Sequence, residues 1–417
     1  MATKKNNTYR LFKDISDVDI SETDIWEYDP EVLNQLLIDH TMSAKVRADA
    51  ADSTRFANIF WATRDYEDQK EDEADKAGYR YADQIMPDRI VGQNGRVVMP
   101  RVLKDKQLQD ARVKDKAEVF TPSWVCNAQN NLIDQAWFGR EEVFNREYLD
   151  EHGQHAWMPT EGKIEFPAGD KQKDWKKYVR ENRMEITCGE GPYLVSRYDT
   201  TTGAYIPVDR RIGLLDRKLR VISENISDDD PKGWVAMAKE AYKHTYGYEW
   251  QGDNLLLARE ALLYTFIEYY IEKFNKQRDD EGKVIAENVP DRRDIVNIAR
   301  IISWNLWQMD GIKMVVPDTC HSEEVREQQL DLFSANEPKI TIKECLGCKT
   351  SNPHKHNGVY CLIRDWSLKR AQAEKNGWKP QPGEDPKSSP WQKITFVSLL
   401  NGKQDDTEEE EDSSIEE

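Results

Sequence analysis

The chain reads as an α/β protein with a mainly parallel sheet, and three observations predict this. Helical stretches alternate with short β-like runs from about Glu118 to Pro317, the order that builds parallel sheets. Three of those runs end in an acid beside a turn, at Glu185, Glu249 and Asp310. Apolar residues make up 38% of the 417 residues and aromatic residues 10%, which supplies a core and argues against general disorder.

The elements follow in order. PEVLNQLLIDH places apolar residues at helical spacing within an acidic N-terminal stretch. RIVGQNGRVVMPRV sets Asn94-Gly95 between β-branched runs, a hairpin signal because Asn-Gly supplies the positive φ angles of a tight turn. Leu103 to Lys116 is charged and helical in pattern, and EVFTPSW opens a new unit. SWVCNAQNNLIDQAW reads as a helix, KIEF as a strand and DWKKYVREN as a helix. MEIT runs into CGEGPYLVSRY, and TTGAYIPVDRRIG reads as a hairpin. RIGLLDRKLRVISENI and GWVAMAKEAYKH are helical, TYGYEW is a strand, DNLLLAREALLYTFIEYYIEKF a long amphipathic helix and DRRDIVNIARIIS another helix. NLWQMDGIKMVV is strand-like on both sides of Asp310-Gly311.

These shifts divide the chain into an N-terminal extension over 1–110, a central domain over 111–320, a C-terminal module over 321–403 and an acidic tail over 404–417. Net charge is −18, and nine of the acids fall in the last thirteen residues, so the rest carries −9. The tail reads as a solvated end. A mildly acidic body does not suit a protein that holds duplex DNA alone, since affinity for phosphate rests on Lys and Arg; any DNA role needs a local patch or a second subunit. Arg101–Lys116 and Asp209–Arg220 are the basic segments; the second could touch DNA phosphate or a partner, although such a charged helix is more often a solvated face. No apolar run approaches the ~20 residues that span a bilayer, and no secretory pattern opens the chain. The six cysteines therefore read as thiols or metal ligands in a cytoplasmic protein.

Three loops carry the candidate chemistry. Glu185-Ile-Thr-Cys188-Gly189-Glu-Gly191-Pro-Tyr193 places an acid and two glycines after a strand. Glycine there permits positive φ and close approach of a ligand, and ligands of open α/β sheets sit at the carboxyl ends of strands. Glu249, before Gln-Gly-Asp253-Asn, can accept both hydroxyls of a ribose. Asp310 can accept an exocyclic amine. Each has an ordinary alternative as a turn or helix cap.

In this order the loops resemble a known family. MEITCGEGPYLVSRY is similar to the first motif of S-adenosylmethionine-dependent, adenine-specific DNA methyltransferases, and AEVFTPSWVCNAQNNLID resembles the Phe-Thr-Pro motif that precedes it there. YGYEWQGDNLLLAREALL and NLWQMDGIK resemble the second and third motifs. The resemblance covers about half of the chain. It implies a Rossmann-like class I methyltransferase domain with an N-terminal helical and hairpin extension and a small Cys/His module. It also implies roles. Phe120, Thr121 and Pro122 would pack against the amino-acid end of S-adenosylmethionine, and Glu185 would accept from its amino group. Cys188, Gly189 and Gly191 would form the loop around it, Glu249 would bind the ribose and Asp310 the adenine.

The family's Asn-Pro-Pro-aromatic catalytic motif is not found; Ser351-Asn352-Pro353-His354 and Ser389-Pro390-Trp391 are the nearest strings. Methyl transfer to an amine requires alignment of the reacting atoms and an aromatic platform for the flipped base. The resemblance thus implies the cofactor-binding subunit of a modification enzyme. A protein partner would carry the catalytic loop and the target recognition. The alternative is a non-catalytic scaffold that binds DNA or a nuclease. Finally, Cys345-Leu-Gly-Cys348, His356 and Cys361 have the spacing of a structural zinc site, or of a reduced-thiol hairpin without metal.

Overall fold

The computed structural model describes residues 18–50, 55–104, 121–167, 173–275, 288–327, 339–367, 370–375, 379 and 390–400. The N-terminal extension gives helices α1 (Glu22–Tyr28) and α2 (Pro30–Leu37), strand β1 (Ile38–Asp39), α3 (His40–Ala50), β2 (Ala57–Asn58) and α4 (Glu73–Lys76). The central region supplies α5 (Ser123–Phe138), the ribbon β3 (Asn145–Leu149) and β4 (His155–Pro159), α6 (Trp175–Val179), β5 (Arg183–Glu185), α7 (Leu214–Asn225), α8 (Pro231–Lys243), β6 (Thr245–Glu249), α9 (Gly252–Phe274), α10 (Arg292–Asn305) and β7 (Leu306–Gln308). Beyond it lie β8 (Glu323–Glu327), β9 (Lys339–Lys343), α11 (Leu346–Thr350), β10 (Leu362–Asp365), α12 (Arg370–Lys375) and β11 (Gln392–Thr395).

The protein is mixed α/β with small sheets. Strands β5, β6 and β7 form one parallel sheet in that order, with Glu185 opposite Gly247 and Tyr248 opposite Trp307. The other described sheets are two-stranded and antiparallel. Helix α9 follows β6 and is buried along most of its length. Its apolar residues belong to one cluster that also holds Leu33 of α2, Leu219 of α7 and Ile298 of α10. The N-terminal helices are thus part of the same core as the sheet. Arg259 of α9 locks them in place: its guanidinium donates to the carbonyls of Leu36, Ile38, Ser303 and Leu306.

Several expectations are corrected. Asn94-Gly95 makes no hairpin; Gly92–Asn94 is a short 3-10 turn. Gly95 has φ −66°, whereas a primed two-residue turn needs positive φ there. KIEF is not a strand: Ile164 N–H bonds the Glu224 carboxylate, and Phe166 packs on Trp137, Phe138 and Tyr178. The TTGAYIPVDRRIG hairpin reduces to a single bridge between Tyr198 and Tyr205. The basic residues of 209–220 are largely internal. Arg211 pairs with Glu268 at 2.6 Å, Arg217 with Asp134 at 2.5 Å, and Lys218 donates to the carbonyls of Glu181 and His244. A buried guanidinium needs such partners, so Arg211, Arg217 and Lys218 form no solvated face, while Arg210 stays exposed. The basic segment 105–116 lies outside the described residues.

No helix of the described residues is long and apolar enough to cross a membrane.

Candidate functional site

A cleft of about 920 Å³ opens at the carboxyl ends of β5 and β6. Its floor is the loop 186–193, where Thr187, Gly189 and Gly191 have φ of 46°, 53° and 79°. A β-branched residue in the left-handed region is strained, and such strain concentrates at functional loops. At Gly189 a Cβ would meet nothing within 4 Å. The position therefore faces open cleft, and glycine leaves that space clear.

Two buried carboxylates flank the loop. Glu185 ends β5 and accepts from the N–H groups of Tyr193 at 3.3 Å and Leu194 at 3.1 Å. Glu249 ends β6 and accepts from Gly189 N–H at 2.9 Å and Gln251 N–H at 3.2 Å. Both acids therefore shape the loop, which is the capping role, and both also line the cleft. A carboxylate offers about four acceptor sites, so each keeps capacity for a ligand. Burial pushes the Glu185 carboxyl well above its usual range; the two N–H bonds pull it back, and the nearby Glu249 pushes it up again. Burial likewise raises Glu249 against the N–H groups of Gly189, Gln251 and Trp250. Two carboxylates held this way favour a cationic or hydroxyl-rich ligand, which would stabilise their charged forms.

Other expected residues divide. Thr121 lines the cleft and is tied to the central domain, its carbonyl accepting from Thr200 Oγ1 at 3.2 Å. Pro122 caps α5 and does not line the cleft, and Phe120 lies outside the described residues. Cys188 lines it from below, its buried thiol pushed up well above the usual value by burial and then by Glu185 and Glu249. Asp310 is not among the residues that line the cleft. Its Oδ1 accepts from the N–H groups of Ile312 and Lys313, and its own N–H donates to Val315 O. Asp-Gly turn chemistry absorbs the side chain.

The cleft also has walls the sequence did not announce. Ala62 and Tyr81 come from the N-terminal extension, and Gln129 and Ile133 from α5. Gln308 holds the extension in place: its Oε1 accepts from Phe60 N–H, and its Nε2 donates to the carbonyls of Phe60 and Trp250. Trp250 in turn donates to Tyr81 Oη at 3.1 Å. Nothing in local periodicity signals a side chain that bridges residues 248 positions apart.

The Cys/His cluster is a second site, and its ligand set is corrected. Cys320, Cys345, Cys348 and His356 bring their ligand atoms within 4.8 Å of one another and could hold a metal ion. Cys361 is not among them; it is buried in a separate apolar cluster, with its thiol donating to Gln308 O. Cys320 Sγ lies 3.6 Å from Cys348 Sγ and 3.5 Å from His356 Nδ1, and Cys345 and Cys348 each lie 3.7 Å from that nitrogen. Tetrahedral zinc with its usual bond lengths would set these separations at about 3.6–3.8 Å. Gly347 permits the arrangement, because a Cβ there would meet the His356 ring at 2.6 Å. Burial acts to raise the Cys345 thiol, but N–H groups of Cys348 and Asn357, with Cys320 and His356 beside it, pull it down to about 6.

No family model, curated protein or solved structure matches this chain.

Proposed function

We propose that the protein is the S-adenosylmethionine-binding subunit of an adenine-specific DNA methyltransferase, with a Rossmann-like class I methyltransferase domain at its centre. The observation that carries this reading is the 920 Å³ cleft that joins Glu185, Gly189, Glu249 and Thr121, four positions taken from three separate motifs. The fit to the group rests on the chain itself: open space where a Gly189 Cβ would stand, and two carboxylates with acceptor capacity left. Glu185 would take the ammonium, Glu249 the ribose hydroxyls, and Thr121 would border the methionine end. Asp310 has no part in this; the adenine would instead meet the walls formed by Ile133, Ile186 and Trp250. When bound, the cofactor supplies the methyl group for an adenine amine.

A partner remains part of the reading. Among the described residues no strand pairs with the outer edge of β5, and Met184 and Ile186 there are 44% and 61% exposed. An open edge with exposed apolar residues beside the cleft is where an added strand would dock. Such a partner would bring the catalytic Asn-Pro-Pro-aromatic loop. The purified chain should bind the cofactor by calorimetry and transfer no tritiated methyl group to DNA until the partner is added. Strong transfer by the lone chain would refute the split arrangement, and absence of cofactor binding would refute the reading itself.

The Cys/His cluster would hold structural zinc, since four protein ligands leave no open position. Its role would be to fix the segment after β7, where Val315 bridges both Asp310 and Tyr360.

A further inference from the structure

A second cavity, of about 540 Å³, lies away from the cofactor cleft. Trp304 lines it from the end of α10, just before the amino end of β7. Arg364 lines it from β10, and its carbonyl accepts from Tyr246 Oη near the amino end of β6. The cavity thus sits toward the end of the sheet opposite Glu185 and Glu249.

Its charge is one-sided. Arg47, Arg300, Arg364 and Lys393 line it, and none of the lining residues is acidic. This stands out in a chain of net charge −18. Neither Arg47 nor Lys393 forms an ion pair among the described residues, and Arg300 reaches only a 3.9 Å contact with Glu31. Arg364 is held rigidly, 3.7 Å above the Trp391 ring and 4.4 Å from Trp304. The half-buried His40 stacks on Trp304 at 3.8 Å. Burial, and then the guanidinium groups of Arg364, Arg259, Arg47 and Arg300, hold His40 well below its usual pKa. Phe56 projects at the rim with 60% of its surface exposed, and Arg47 covers one face of the ring at 5.2 Å.

We propose that this cavity binds the phosphate of a nucleotide unit, either free or within a nucleic-acid strand, with Phe56 at the rim as a stacking platform for a base. Guanidinium groups fixed on aromatic rings suit phosphate oxygens because their orientation is settled before binding. An exposed ring beside a cationic groove is the arrangement by which single strands are held without sequence preference. The volume accommodates one nucleotide rather than a duplex. The site does not depend on the cofactor reading.

The test uses the full chain and a fluorescently labelled twelve-nucleotide single strand, read by anisotropy over a salt series. Wild type should bind, and the Arg47→Ala/Lys393→Ala double variant should bind at least about tenfold more weakly, with the salt slope reduced by about two. Both side chains reach solvent, and an unchanged melting temperature checks that the variant folds. Displacement by adenosine monophosphate or inorganic phosphate would assign a free nucleotide, and failure of both would assign a strand; either supports the proposal. Equal binding by wild type and double variant would overturn it. So would displacement of the strand by polyglutamate as readily as by unlabelled strand, since that would mark an acidic-peptide site. Calorimetry of S-adenosylmethionine binding on the same variant should be unchanged, which separates failure here from failure at the cofactor cleft.

Discussion

The loops after β6 and β7 begin alike and end differently. Each strand finishes close to an acid, and each acid is drawn toward a turn. Glu249 reaches back to the N–H of Gly189 and keeps one side open to a 920 Å³ cleft. Asp310 folds onto Ile312 and Lys313 of its own turn, and the chain then runs on to Cys320 in the metal-competent cluster. An acid at a strand end is therefore a ligand group only where the chain leaves its oxygens facing space. The first loop leaves its acid beside open space, and the second turns its acid onto its own backbone ahead of the Cys/His cluster.

The largest effect separating the two regions should come from metal. Cys320→Ser should drop bound zinc from one per chain to none and cost several kcal/mol of stability, because a structural ion's binding energy is folding energy. Cys361→Ala should retain the zinc and cost only about 1–3 kcal/mol through lost packing. Elemental analysis with thermal melts would check both; retention of zinc in Cys320→Ser would return the fourth ligand to another residue.

Glycines sharpen the contrast at a smaller scale. Gly189→Val, at φ 53°, should weaken cofactor binding at least tenfold by filling the cleft, beyond the ~1–2 kcal/mol of left-handed strain. Gly311→Ala should do the reverse. Its Cβ would meet the Tyr248 ring at 2.7 Å, costing about 1–3 kcal/mol by overpacking and leaving cofactor affinity within about twofold. Paired melts and calorimetry would show whether the effects segregate in this way.

The smallest effect is one of pH. Glu185 and Glu249 are both raised above their unfolded values. Protonated acids of this kind favour the unliganded fold at low pH, and that stability is lost as pH rises through the raised values. A cationic ligand works in the opposite sense, because it needs the carboxylates ionised. Cofactor affinity should therefore rise, by a few-fold, from about pH 5 to about pH 8, with proton release on binding. Flat affinity across that range would detach the carboxylates from the ligand.

How much could be read beforehand follows the same division. The alternation around β5, α7, β6, α9, α10 and β7 was legible because each element is contiguous and signals itself by period. Glu185, Gly189 and Glu249 were legible because strand, turn and acid adjoin in the chain. Cys320 was not, since it stands twenty-five residues before Cys345 and ligand spacing gives no direction to search. Cys361 misled because its spacing suited a ligand, whereas burial against Gln308 decided its place. Asn94-Gly95 carried the right turn residues, but contacts with Thr23 set the local backbone instead: Gly92 N–H bonds Thr23 Oγ1 at 2.9 Å. The basic pocket was invisible because its cations come from α3, α10, β10 and β11, four stretches far apart in the chain that each lend it a single cation.

The most direct measurement is calorimetric titration of the purified chain with S-adenosylmethionine, alongside Glu249→Ala and Asp310→Ala. Micromolar binding that Glu249→Ala abolishes and Asp310→Ala leaves within about twofold is the predicted result. No binding by the wild type, or binding that survives loss of the Glu249 carboxylate, would contradict the assignment of the cleft.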